Sequence, residues 1–301
     1  MKRYFKAFAL VSLITLAASC KKDDDTTVPL RDYTVQYATE KANIEEYLHT
    51  HYIASVDADF NVELLPIPEG GSQVSIWDQT EYPLLNKQVQ SLDTDNTPLY
   101  TVYYLMLNQG TTDQPTRADN IVVSYRGTAL DDGTQFDYNP FPSSAFSLAT
   151  TIEGWQEIIP LFKAGTYVDV PGSPNPASFQ GYGAGVMFLP SGLAYYNVAA
   201  SSAISTYESL IFSFKLYSVG YLDSDNDGLQ NRHETEGTTD IARYDTDGDG
   251  IANYLDNDDD GDGFLTRSEI TNPLTGQPYA FGDIPLCTGG TLPKHLDPNC
   301  H

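Results

Sequence analysis

Residues 99–107 read LYTVYYLML, residues 120–127 NIVVSYRG, residues 130–137 LDDGTQFD and residues 209–219 SLIFSFKLYSV. β-Branched and aromatic residues dominate these segments, and the first link between them, NQGTTDQPTRAD at 108–119, carries Gly, Pro, Asn and Asp. The pattern predicts strands punctuated by turns. One helical stretch interrupts them, TTIEGWQEIIPLFK at 150–163. Thr150 or Thr151 is its expected N-cap, and Glu153 falls in the first turn, where the helix dipole favours an acid. The glycines and prolines between Gly165 and Gly192 predict a long loop. An antiparallel sheet wrapped on one short helix, an α+β arrangement, is therefore expected over residues 97–219.

Toward the N-terminus, residues 53–96 mix short β-type runs with Pro66, Pro68, Gly70 and Gly71. From Gln36 to Tyr52 there is no Gly or Pro, and Tyr37, Ile44, Leu48 and Tyr52 recur near helical spacing, so residues 33–96 form a region with one amphipathic helix. His49 and His51 stand two apart on it, point in different directions and make a poor metal pair. Residues 20–32 are polar and read as a tether. Residues 1–20, MKRYFKAFALVSLITLAASC, have a basic start, an apolar middle and small residues before Cys20, the form of an export signal over residues 1–19.

The chain of 301 residues has a formal charge of −25. Such a surface repels phosphate backbones, which argues against a nucleic-acid partner. Hydrophobic residues make up 41%, enough for a sizeable core. Beyond residue 19 no apolar run approaches the roughly 20 residues of a spanning helix. The segment ending at Cys20 resembles a bacterial lipoprotein signal, which implies a lipidated Cys20 as mature N-terminus and a lipid anchor in a membrane. Lys21, Lys22 and Asp23 to Asp25 resemble the acidic export tag of Bacteroidetes lipoproteins, which implies the outer membrane with the protein facing the exterior; a periplasm-facing location stays open. With Cys20 assigned, Cys287 and Cys300 form an even pair in an oxidising compartment and are expected to be a disulfide. His295 and His301 lie nearby, but the spacing matches neither C-x-x-C nor H-x-x-x-H zinc forms.

Residues 97–219 carry no G-x-S-x-G, H-E-x-x-H, P-loop or G-x-G-x-x-G after a strand. Aromatics instead outnumber titratable groups, a composition that suits an apolar pocket or an aromatic core. The order Val123-Ser124-Tyr125-Arg126-Gly127, Asp132-Gly133, Phe136-Asp137 resembles the V-x-Y-x-G … D-G-x-x-F-D signature of FKBP-type peptidyl-prolyl cis-trans isomerases. Phe146-Ser147-Leu148, Ile152-Glu153-Gly154-Trp155, Pro190 to Tyr195, Ile204 and Leu210-Ile211-Phe212 keep that order over about 120 residues. The resemblance implies an isomerase acting on proline-containing polypeptides of exported proteins, with no cofactor for catalysis. It implies a pocket floored by Trp155 and walled by Tyr125, Phe136, Ile152, Ile204 and Phe212. Asp137 and Tyr195 are its polar members, with the Tyr195 hydroxyl and the Ile152 N–H donating to substrate carbonyls, and Phe146 is structural. Three positions depart from the pattern: Ser144 stands where an aromatic wall is common, Tyr196 replaces a glycine, and an insertion from Val168 to Phe188 is expected beside the pocket as a lid or block. A binding module without turnover is the alternative.

After Gly220 the composition shifts to Asp, Asn and Gly. DSDNDGLQNRHE at 223–234 sets Asp223, Asp225, Asp227, the Leu229 carbonyl, Asn231 and Glu234 at positions 1, 3, 5, 7, 9 and 12 of an EF-hand-type calcium loop, with Gly228 at the turn. DTDGDGIANYLD at 245–256 repeats it with Asp245, Asp247, Asp249, Ile251, Asn253 and Asp256, and DDDGDGFLTRSE at 258–269 with Asp258, Asp260, Asp262, Phe264, Thr266 and Glu269. The second and third loops are too close for full EF-hand helices. The array over 220–269 resembles thrombospondin type 3 repeats, which implies structural calcium in an irregular segment, ahead of a tail at 270–301.

Overall fold

The computed structural model describes residues 30–142, 144–172, 177–200, 202, 204–235 and 241–300. The signal, Cys20 and the acidic tag lie outside them. Helix α1 (Tyr33–Thr50) starts at Asp32, whose carboxylate accepts from the Val35 N–H at 3.0 Å. It begins and ends before the expected range. His51 and Tyr52 leave it for β1 (His51–Val56), because the run through Val56 pairs antiparallel with β2 (Val62–Pro66).

β3 (Leu84–Gln90), β4 (Leu99–Asn108), β5 (Asn120–Ala129) and β6 (Gln135–Asn139) follow, then the short β7 (Phe146–Ser147) and helix α2 (Glu153–Ile158). The helix is shorter than expected. Ile152 is its N-cap, Thr151 turns its hydroxyl back to the Leu148 carbonyl, and Pro160 converts the next residues to a 3-10 turn. The small hairpin β8 (Thr166–Val168) and β9 (Ser178–Gln180) precedes β10 (Gly183–Leu189) and β11 (Leu210–Gly220). The main sheet is antiparallel in the order β3-β4-β10-β11-β5-β6, with β7 also on β5. The fold is α+β, as expected. However, β3 comes from the segment assigned to the N-terminal region, so the sheet does not begin at residue 97.

Alternation gives the sheet two apolar faces. Tyr100, Val102, Tyr104, Val123, Met187, Leu189, Phe212 and Phe214 face α2 and Trp155. Tyr103, Leu105, Val186, Phe188 and Ile211 face Ile44 and Leu48 of α1 and the β1–β2 hairpin. The second layer is what α1 does with its stripe. Burying side chains such as Ile44 and Leu48, each at most 1% exposed, is worth about 1.5–3 kcal/mol apiece.

The acidic segment is a chain of loops and 3-10 turns, closed by α3 (Thr266–Glu269) and the pair β12 (Thr271–Asn272) and β13 (Gln277–Pro278). Leu229, Ile270 and Ile284 make its small core. It docks on the sheet domain through Leu222 N–H to Asp119 at 3.0 Å, Asn231 Nδ2 to the Ala118 carbonyl at 3.4 Å, and Arg243 to the Gln90 and Ser91 carbonyls, both at 3.0 Å. Cys287 and Cys300 form the expected disulfide, with Cα atoms 5.7 Å apart. His295 is buried nearby, where desolvation lowers its pKa to about 4.

Candidate isomerase pocket and carboxylate loops

Trp155 sits on α2 and is 4% exposed. Tyr125 of β5 meets it edge-on at 5.0 Å between centroids, and Phe212 of β11 at 5.2 Å and 90°. Phe136 of β6 stands edge-on to Phe212 at 5.4 Å. These T-shaped pairs place ring edges against faces, the favoured geometry for aromatic quadrupoles. Ile204 is buried in the same cluster, and Ile152, Tyr195 and Phe146 pack against it half-exposed. The structure thus brings all eight expected pocket residues together, with Asp137 at the rim. Gly127 explains itself here: a Cβ on it would come within 2.6 Å of Phe136 and 2.8 Å of Phe212.

The polar groups are ordered by few bonds. The Tyr125 hydroxyl donates to Asp137 Oδ2 at 2.9 Å, and the other Asp137 oxygen accepts from the Tyr138 N–H at 2.8 Å. Burial and then Asp137 push the Tyr125 phenol up to about 12. Burial, and then the Asp137 charge, also raise Tyr195. Both phenols are therefore neutral donors at neutral pH. Neither the Tyr195 hydroxyl nor the Ile152 N–H has an acceptor among the described residues. Helix α2 is fixed from behind: Glu157 pairs with Arg117 at 3.1 Å and Lys87 at 2.7 Å, and Glu153 accepts from Ser91 Oγ at 2.6 Å and the Leu92 N–H at 2.8 Å.

Of the three departures, Ser144 is exposed and supplies no wall. Tyr196 adopts φ +49°, the left-handed backbone a glycine takes without cost. Its ring offsets the strain: it is 7% exposed, stacks on Tyr33 at 4.0 Å and sends its hydroxyl to the Arg31 carbonyl. The insertion departs from expectation. Its Phe179 packs on Tyr217 at 5.2 Å, Tyr182 lies 5.0 Å from the same ring, and Tyr217 bonds Ser124 on the sheet face opposite Trp155. Ala177, Phe179 and Tyr182 of it line a cleft of about 640 Å³ with Phe60 and Lys215 on that face, and from Gly183 onward the span expected as loop is the strand β10 of the main sheet; residues 173–176 lie outside the described ones.

Sequence reasoning missed the support for Tyr195. Glu40 of α1 is 3% exposed and accepts from the Ser191 N–H at 2.9 Å, from the Ser191 hydroxyl and from Gln36 Nε2 at 2.7 Å. Asn96 Nδ2 reaches the Gly192 carbonyl at 2.8 Å. The signal was present: Glu40 is the lone acid in the stripe Tyr37, Glu40, Ile44, Leu48.

The three acidic loops repeat one geometry. Position 1 accepts from the position 6 glycine N–H (Gly228 to Asp223 at 3.2 Å, Gly250 to Asp245 and Gly263 to Asp258 at 3.0 Å), and those glycines have φ of +111°, +97° and +90°. Position 3 accepts from position 5, and position 5 from position 7, in every loop. One oxygen each of Asp223, Asp225, Asp227, Asp258 and Asp260 is buried without a hydrogen-bond partner among the described residues. In each loop one oxygen from each of positions 1, 3 and 5 lies within 4.8 Å of the other two. Glu234 and Glu269 are buried beside their own loops, with burial first and those carboxylates next raising their pKa to about 9 and about 8; Asp256 is raised by burial and by Asp249 and Asp247. Position 9 serves otherwise than expected. Asn231 accepts from the Ser224 N–H at 3.0 Å, Asn253 from Thr246 at 2.9 Å and Thr266 from Asp259 at 3.1 Å, so these side chains close the loop instead of joining the carboxylates. Leu229, Ile251 and Phe264 give their N–H to position 5; Leu229 is buried, while Ile251 and Phe264 are exposed.

The profile of the family described as BamM C-terminal matches residues 220–294. The chain is 29% identical over 136 residues, 44% of its length and 43% of the relative's, to a probable FKBP-type peptidyl-prolyl cis-trans isomerase FkpA of Neisseria meningitidis serogroup B. It is 30% identical over 118 residues, 38% of its length and 43% of the relative's, to outer membrane protein MIP of Legionella longbeachae. A crystal structure of a peptidyl-prolyl cis-trans isomerase from Pseudomonas syringae pv. tomato aligns with a TM-score of 0.36 and 17% identity over 64% of this chain and 98% of that one. FkpA from Escherichia coli aligns with a TM-score of 0.33 and 22% identity over 62% of each chain. The chain spans less than half the length of either curated relative, and over that span it is a distant homologue of FKBP-type peptidyl-prolyl isomerases.

Proposed function

We propose that the sheet domain is a peptidyl-prolyl cis-trans isomerase acting on exported polypeptides, carried on an envelope lipoprotein whose acidic segment is braced by calcium. The observation that carries the reading is the convergence of Tyr125, Phe136, Trp155, Ile204 and Phe212 beside two donors without an acceptor among the described residues, the Tyr195 hydroxyl and the Ile152 N–H. X-Pro rotation faces a barrier of about 18–20 kcal/mol because the amide must lose resonance. The twisted amide is less dipolar than the planar one, so an apolar pocket favours it relative to water. Tyr195 and Ile152 hold the flanking carbonyls while the prolyl ring rests on Trp155, and Asp137 fixes Tyr125. No covalent step and no cofactor enters this account.

The form of residues 1–25 supports lipidation at Cys20 and an exterior-facing location, and the similarity to a protein named outer membrane protein MIP supports an envelope location. The buried oxygens of the first and third loops that lack a hydrogen-bond partner among the described residues fit a hard cation with six to eight oxygen ligands, and the second loop sets three carboxylates, more exposed, in the same arrangement; calcium would be held by Asp223, Asp225, Asp227 and Glu234, by Asp245, Asp247, Asp249 and Asp256, and by Asp258, Asp260, Asp262 and Glu269. When bound it supplies charge neutralisation and folding energy to a segment with a core of three buried apolar residues. The test is a proline-peptide isomerisation assay on the chain from residue 21 in calcium. Acceleration over the uncatalysed rate supports the enzyme. Peptide binding without acceleration supports the alternative, a binding module, which the missing wall at Ser144 favours.

A further inference from the structure

Asp259 is the second residue of the third loop, a position with no ligand role in the EF-hand pattern. In the first two loops that position is Ser224 and Thr246, and each hydroxyl accepts from its position 9 asparagine, at 2.9 Å in both. The third loop breaks the rule twice. Position 9 is Thr266, whose hydroxyl accepts from the Asp259 N–H at 3.1 Å and is the group of its own loop nearest that carboxylate, and position 2 carries a charge where the other loops have a hydroxyl.

That carboxylate is 2% exposed, and both its oxygens lack a hydrogen-bond partner among the described residues. It lies against the first loop: one oxygen each of Asp227, Glu234 and Asp259 fall within 4.8 Å of one another. Glu234 is likewise 2% exposed with both oxygens unpartnered, and Asp227 is 1% exposed with one. Burying three carboxylates this close is strongly unfavourable, and the Arg267 charge, which reaches Asp227, offsets it only in part. Arg267 Nε of the third loop also donates to the Asp227 carbonyl at 3.3 Å, so the two loops meet at this point. The triads Asp223–Asp225–Asp227 and Asp227–Glu234–Asp259 share Asp227, and together they hold seven buried oxygens without a hydrogen-bond partner among the described residues: Asp223 Oδ1, Asp225 Oδ2, Asp227 Oδ2 and both oxygens of Glu234 and Asp259. Seven lies inside the coordination range of calcium and exceeds the six that magnesium accepts, most of them usually water.

We propose that Asp259 is a ligand of the first loop's calcium, so that a single ion ties the first and third loops together. The inference rests on the calcium reading of the loops. Binding at this site then depends on the fold of the segment and not on residues 223–234 alone, and losing the ion parts two loops at once.

The test is calorimetric titration of calcium chloride into the chelator-stripped chain from residue 21, comparing wild type with Asp259→Asn, Asp259→Ser (the kind of residue the other loops carry there) and Asp245→Asn of the second loop. The expected result is a first-loop site weakened about tenfold or more in both Asp259 variants, the same site that Asp223→Asn removes, with the second-loop site unchanged. Limited proteolysis at a calcium concentration that protects wild type is expected to cut both Asp259 variants near both the first and third loops, while Asp245→Asn is cut elsewhere. Wild-type binding with unchanged stoichiometry and affinity in both Asp259 variants overturns the cross-loop ligand and leaves the calcium loops standing. No binding by wild type at millimolar calcium overturns both. Asp259 variants that stay unfolded at all calcium concentrations, while stripped wild type is folded, assign the residue a metal-independent role and overturn the proposal.

Discussion

Replacing Glu40 tests whether α1 is part of the isomerase pocket or merely a cover on the sheet. Glu40→Ala removes the acceptor of the Ser191 N–H, the Ser191 hydroxyl and the Gln36 amide, at positions 1% and 8% exposed for Ser191 and Gln36. The hydroxyl and the amide have rotatable bonds with which to find another partner, and Gln36 keeps its bond from Arg31 at 2.8 Å. The backbone N–H has none. One stranded buried donor costs about 1–3 kcal/mol, and the lost packing and weaker bonds bring the expected destabilisation to about 2–4 kcal/mol. Glu40→Gln keeps an acceptor for Ser191 but turns an NH₂ toward Gln36, so about 1 kcal/mol is expected. The assay is urea unfolding in excess calcium followed by tryptophan fluorescence, paired with isomerisation kinetics, which should fall in Glu40→Ala because Tyr195 follows Ser191 on the same loop. The pH dependence has a defined sign. Burial raises the Glu40 pKa, with the Ser191 and Gln36 bonds opposing. A carboxylate raised in the folded state contributes stability that is full below its unfolded value and lost as pH rises through the folded one. The Glu40→Ala penalty should therefore be larger near pH 4 than at pH 8. A penalty under about 0.5 kcal/mol, within the range of ordinary surface substitutions, with unchanged kinetics would refute the role of Glu40 in holding the Ser191 loop.

Tyr195→Phe and Asp137→Ala are each expected to slow isomerisation about tenfold or more, some 1.4 kcal/mol of barrier, with Tyr195→Phe leaving the unfolding midpoint unchanged; equal rates would remove these residues from the chemistry. Gly127→Ala pushes a methyl into Phe136 and Phe212, and its cost of about 1–3 kcal/mol should come with weaker peptide binding, measured by unfolding and by KM. In chelator, Glu234 and Asp259 at about 9, Glu269 at about 8 and Asp225 at about 7 are all raised, by burial first and by neighbouring carboxylates next. Their contribution is present in acid and lost as pH climbs through 7 to 9, so the metal-free segment should resist protease better at pH 5 than at pH 8.5. Equal cleavage at both pH values would contradict the burial of these groups.

The sequence by itself marked β4, β5, β6 and β11, the α+β class, the aromatics that gather on Trp155 and the disulfide, because each is written in local or ordered terms, whereas β10 fell in a segment read as loop. Alternation of Tyr, Val and Leu marks β4 and β5, and an ordered set of aromatics from Tyr125 to Phe212 marks the pocket. Two cysteines left after Cys20 admit one pairing. The repeated Asp-x-Asp-x-Asp-Gly fixes each loop because a position 1 carboxylate and a position 6 glycine lie within reach along the chain. What only the tertiary structure decided depends on residues far apart in sequence, whose meeting no local pattern encodes. Glu40 stands out in sequence as the acid of an apolar stripe, but its partner is set only when α1 crosses to Ser191, 151 residues away. Tyr196 reads as a defect in a glycine position until its ring finds Tyr33. The β3 edge, the insertion on the far face and the turn of Asn231, Asn253 and Thr266 away from the carboxylates were settled the same way, by which partner lay nearest once the chain was packed. Asp259 is the sharpest case: in sequence it is one carboxylate in a run of three, and only the approach of the first loop sets its charge against Glu234 and Asp227.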